Sequence, residues 1–297
     1  YRALKSNTTA SNNTAVGYLA LEETTTGHSN VGVGKSSMAV NTTGYENVAV
    51  GMVTLDSNTT GASNTALGHA ALSSATTASK NTAVGRYALY LNTTASNNTA
   101  VGYGSLGANT TGTENTAVGT EALNATITGS YNTAVGRSAL LLNTGEHNTA
   151  VGRIALRTNS SGADNTALGS RAMYANSSGS SNTAVGVNAL DANTTASSNT
   201  AVGYASLTAN TTGADNVAIG RSALAANETG HSNISIGVYS LDANSTGIQN
   251  TAIGKYALST NTTGAGNVAL GADALQASTT GGSNTAIGYN AGGAITT

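Results

Sequence analysis

Along this chain an asparagine is followed by three residues alternating in size, then a glycine, and the pattern returns every seventeen residues with one exception. The unit reads N-T-A-V-G-x-x-A-L-x-x-N-T-T-G-x-x, as in Asn81-Thr82-Ala83-Val84-Gly85. With the first Asn as position one, position four is always Val, Leu or Ile, and position nine is Leu or Met except at Gly292. Those two columns are the expected core. Strand residues two apart share a face, so position two should look inward with position four. It is mostly Thr, replaced by Val31, Val48, Val217, Ile234 and Val268. Position eleven, which includes Val40, Leu91 and Leu142, should share the face of position nine. The pattern predicts one short strand at positions two to four and a second at about eight to eleven. A Gly turn at five to seven and a longer turn from position twelve into the next Asn would join them.

A fixed period of this kind is the signature of stacked coils. The leading asparagines are Asn13, Asn30, Asn47, Asn64, Asn81, Asn98, Asn115, Asn132, Asn148, Asn165, Asn182, Asn199, Asn216, Asn233, Asn250, Asn267 and Asn284. The one short interval, Asn132 to Asn148, loses a Thr from the second turn. Seventeen residues are too few for a helical-hairpin repeat, and Gly with Thr and Val disfavours helix. The expected fold is all-β: a parallel β-solenoid, or β-roll, with about 17 coils and two short strands in each. Residues 1–297 read as a single uninterrupted array, roughly 80 Å long at ~4.8 Å per coil. The repeat phase runs from position six at Tyr1 to position fourteen at Thr297, without the caps that solenoids normally carry. A window cut from a longer array is the expectation.

Two further columns are held small. Position three is Ala in fifteen units, with Gly32 and Ser235 the exceptions, and position eight is never larger than Thr54. By alternation position three should point outward. Solvated positions drift to large polar residues, as position ten does with Glu22, Tyr90, Arg157 and Gln276. Small outward columns therefore predict packing against another copy of the chain, most economically in a homotrimer.

Composition narrows the function. Only 8% of residues are charged and the net charge is −2, which argues against nucleic acid, whose phosphates need clustered Lys and Arg. No apolar run approaches the ~20 residues needed to cross a bilayer, so no membrane insertion is expected in this segment. Cys, Pro, Trp and Phe are absent, which removes disulfides and thiolate metal sites and denies the chain an ordinary globular core.

The recurring columns are the chain's most prominent candidates. Identical amides at Asn13, Asn30, Asn47 and the corresponding positions can hydrogen-bond along the axis. Gly17, Gly34, Gly51, Gly68 and Gly85 should supply positive φ or a close backbone approach. Triplets such as Asn41-Thr42-Thr43, Asn58-Thr59-Thr60, Asn109-Thr110-Thr111 and Asn210-Thr211-Thr212 match the glycosylation pattern, but a turn motif explains them more simply. Thr arrays on a flat solenoid face can bind ice; an inward position two would argue against that. Tyr18, Arg86, Tyr87, Tyr103, Arg137, Arg153, Tyr204 and Arg221, with Tyr256, form an exposed edge that could contact a receptor or glycan. The four His (His28, His69, His147, His231) are scattered, and acidic residues such as Glu46, Glu114, Asp164 and Asp215 show no metal-ligand spacing. No catalytic, cofactor or metal site is expected.

The cores Asn47-Val48-Ala49-Val50-Gly51, Asn216-Val217-Ala218-Ile219-Gly220 and Asn267-Val268-Ala269-Leu270-Gly271 resemble the N-S-V-A-I-G repeat of YadA-like heads of trimeric autotransporter adhesins. The N-T-A-V-G-Y-x-A-L form is also similar to repeats in phage tail-fibre proteins. The resemblance implies a left-handed β-roll, trimerised along its length, at a cell surface or on a virion. It departs from the family's common period, which is nearer fourteen, and Thr replaces the motif's first apolar residue. The expected function is a non-enzymatic extracellular fibre or adhesin segment, with host receptor or glycan as partner. A filament or sheath subunit is the second reading and ice binding the third.

Overall fold

The computed structural model describes residues 2–296; Tyr1 and Thr297, the ends of the repeat phase, lie outside the described residues. The chain is an all-β parallel solenoid. Seventeen three-residue strands, β1 (Thr14–Val16) to β17 (Thr285–Ile287), each occupy positions two to four of a repeat. They fall into two compact units, one ending at His147 and the other starting at Asn148. In the first unit β1 to β8 (Thr133–Val135) pair in parallel with no register shift, Thr82 against Thr99 and Val84 against Val101. In the second, β9 (Thr149–Val151) to β17 do the same. Like residues therefore sit over like throughout each unit. The boundary follows the sixteen-residue coil.

The expected second strand is absent among the described residues. Positions six to eleven form a run of turns, because positions seven and nine sit in left-handed backbone: Val53 has φ 49° and Leu55 has φ 50°. The rungs nevertheless continue there, with the Leu21 N–H donating to the Ser37 carbonyl and the Glu23 N–H to that of Ala39, both at 3.0 Å. Position five opens this segment. Gly17, Gly34 and Gly85 hold φ near 132°, and a Cβ built on Gly17 would lie 2.6 Å from the Gly34 carbonyl oxygen. Only glycine tolerates both the dihedral and the approach.

The facing of the strand is the reverse of the expectation. Position three points inward: Ala49, Ala66, Ala83 and their counterparts are buried, except Ala15 in the first coil, which is half-buried. Positions two and four point out, with Val16, Leu168, Leu270 and Ile287 among the exposed aliphatics. The interior is instead filled from the turn segment, by position eight (Ala20, Thr54, Ala71) and position nine (Leu21, Leu55, Leu72), all without solvent exposure. A Cβ built on Gly32 would meet Leu21 Cγ at 3.1 Å and Met38 Cε at 3.5 Å. Leu from across the thin coil thus leaves room at position three for little more than a methyl group, and the one Ser there, Ser235, is buried with its Oγ donating to the Ser240 carbonyl at 2.7 Å. Position eleven is also outward, with Leu91 and Leu142 more than two-fifths exposed. The small columns are small because they are internal, which removes the reason for placing a second copy against them.

Candidate functional site

Two asparagine columns run inside the coils. At position one, the Asn47 backbone N–H and Nδ2 both donate to Asn30 Oδ1, at 3.0 and 3.1 Å, and Nδ2 also donates to the Gly61 carbonyl at 2.8 Å. Asn64 and Asn81 repeat this geometry, and Asn98, Asn115 and Asn165 keep the backbone rung. Asn13 sits half-buried at the start, while Asn132 and Asn148 bond to the Gly145 and Gly162 carbonyls. The second column, at position twelve, was read from the sequence as a turn. Asn227 Nδ2 donates to Asn210 Oδ1 at 2.8 Å and to the Gly230 carbonyl at 2.9 Å, and Asn244 repeats the pattern. Asn41, Asn58, Asn109 and Asn210 belong to it and are fully buried, so the folded coil does not present these triplets for glycosylation. The ladder is interrupted at Thr24, Ala75, Thr126 and Ser278. Below the last three an oxygen is left without a partner, Asn58, Asn109 and Asn261 Oδ1, whereas Asn7 Oδ1 below Thr24 accepts from the Ala10 N–H at 2.9 Å.

Outside the coil, positions two and four make two parallel columns along the sheet face of each unit. Every residue at position four is Val, Leu or Ile, and position two holds Thr, Val or Ile; neither column carries a charge. This surface had been assigned to the core by the sequence pattern. The Thr side chains at position thirteen are occupied differently, Thr42 Oγ1 donating along the axis to the Thr59 carbonyl at 3.0 Å.

The Tyr and Arg residues lie on the turn edge as expected, but only some meet. Tyr18 and Tyr204 are about half exposed, and Arg137 and Arg153 are exposed. Arg221 lies over the Tyr239 ring at 4.8 Å, and Tyr239 stacks on Tyr256 with centroids 5.5 Å apart. The densest group is in the first unit. There Tyr87 packs edge-on against Tyr90 (5.3 Å), Tyr103 (6.2 Å) and His69 (5.6 Å). Arg86 lies 4.6 Å from the Tyr87 ring centre and donates to its hydroxyl at 3.1 Å; that bond raises the guanidinium pKa further. An open pocket of about 350 Å³ adjoins this group, lined by tyrosines 87, 90 and 103 with Gly104, Gly107 and Asn124. The sequence reading missed Tyr90, the two glycines and Asn124. Their signal was a departure from the repeat: no other unit has Gly at both positions seven and ten.

No family model matches the chain, and no curated protein is significantly similar to it. Among the described residues no helix is long and apolar enough to cross a membrane, and no three His, Asp or Glu residues are grouped to hold a metal ion.

Proposed function

We propose that this chain is a non-enzymatic extracellular shaft and display segment of a fibre or adhesin, self-associating through its sheet face. The observation that carries this is the pair of uncharged columns at positions two and four. Solvated strand faces accumulate charged and large polar residues; here aliphatic residues and Thr are kept, half-exposed, on every strand. Extended apolar surface of this kind marks an interaction site. A homotrimer is what the likeness to YadA-like heads implies, and this face, not the small columns, is the surface that would meet.

Light scattering coupled to size exclusion tests the reading. The expected mass is three times the 29.0 kDa chain, falling to one chain when Val84→Lys and Val118→Lys place charges on the face. A folded monomer in the unsubstituted protein would overturn self-association. Large polymers that the same substitutions dissolve would favour the filament reading. Ice binding gains one specific observation, since the position-two Thr column points outward. A thermal-hysteresis measurement separates it, because a fibre segment gives none.

A further inference from the structure

We propose that the pocket around Tyr87, Tyr90 and Tyr103 is a binding site for one neutral pyranose ring of a glycan. The inference rests on the display role above and names a ligand class and a place for it. It begins with a gap in the repeat. Coil 98–114 carries Gly104 at position seven and Gly107 at position ten, where the preceding coil has Tyr87 and Tyr90 and the next has Glu121 and Asn124. Two missing side chains in one layer leave a recess between flanking layers two coil rises apart, about 9.6 Å, with the Asn124 amide forming its floor, 3.1 and 2.9 Å from where a Cβ on Gly104 or Gly107 would stand. One saturated ring fits between layers at that spacing.

The walls suit a sugar. Tyr87 and Tyr90 close one side and Tyr103 stands at the rim, half exposed. Aromatic rings offer apolar surface to the C–H face of a pyranose and phenolic hydroxyls to its edge. At the floor Asn124 Nδ2 donates to the Gly104 carbonyl at 2.6 Å, which fixes the amide in place. Its second N–H and its Oδ1 remain to pair with vicinal sugar hydroxyls. Apolar walls with a few placed polar groups are the usual make-up of a small-ligand site. No charged residue lines the pocket, and the nearby Arg86 is engaged on the Tyr87 hydroxyl, so the walls suit a neutral sugar.

The test is saturation-transfer NMR on the intact chain with methyl β-glucopyranoside, methyl β-galactopyranoside and methyl α-mannopyranoside, followed by titration. At least one should bind with a dissociation constant on the order of 1 mM, as expected for a ligand of this size. Tyr103→Ser and the double change Gly104→Ser, Gly107→Ser should each weaken binding tenfold or more while the circular dichroism spectrum is unchanged. Other coils already carry Ser there: Ser170 at position six, Ser36 (φ 55°) at seven and Ser73 at ten. No transfer to any of the three glycosides overturns the proposal, as does equal binding by the substituted chains. Either failure leaves the mass in solution, and so the shaft reading, untouched.

Discussion

Positions seven, nine and seventeen of the coils hold left-handed backbone, with Leu at nine in most coils and Val53 at seven among the occupants, and such residues pay roughly 1–2 kcal/mol for it. The cross-section demands it: where repeats place Gly at the same positions, Gly104, Gly292 and Gly266, φ is 62°, 66° and 69°. Val53 and Ile154 are the β-branched residues at position seven, and Val53 has the smaller φ, 49° against 53°. Val53→Gly should therefore be more stable than Val53→Ala by about 1 kcal/mol in denaturant unfolding, reversing the ordinary preference for Ala. Equal stability would mean the dihedral is not held. Asp242 gives a second single-residue effect. Desolvation by burial pushes its carboxyl above the usual range, a backbone hydrogen bond opposing. A pKa raised on folding means the folded state binds the proton more tightly, so stability is greatest below the unfolded pKa and falls as pH rises through the folded one. Asp242→Asn should raise the melting temperature at pH 7, with the gain disappearing near pH 3.

At the level of the coil, the strand at positions two to four and the Gly turn after it were legible from β-branched residues and a repeated Gly. The phase of the strand was not. Alternation says which residues share a face and leaves open which face is inside; Ala83 is in and Val84 out because Leu89 and its neighbours already fill the centre. The supposed second strand misled for a related reason, since left-handed Leu55 carries no mark in the sequence. The position-twelve amides were visible as letters and invisible as a ladder. Their breaks give the sharpest test: Ala75→Asn supplies a donor for the orphaned Asn58 Oδ1 and an acceptor toward Asn92. It should stabilise the fold by about 1–2 kcal/mol, the value of a buried hydrogen bond restored. A destabilised Ala75→Asn protein, measured by urea unfolding, would show that the gap is packed for a methyl group.

Across the molecule, the solenoid was readable from periodicity alone, whereas both candidate recognition surfaces were readable only once the coil was closed. The sheet face requires knowing that Val118 points out. The tyrosine pocket requires knowing that the layers on either side of Gly104 and Gly107 stand over one another. In-register pairing has one more consequence, and it is historical. When each coil meets the next through the same rungs, a gene that gains or loses a whole repeat by slippage yields a protein whose every seam is still complete. The sixteen-residue coil ending at His147 keeps its strand in full register with the preceding one although its second turn is a residue shorter. Length is thus the quantity this architecture can change at least structural cost, one coil at a time, with the cross-section unaltered.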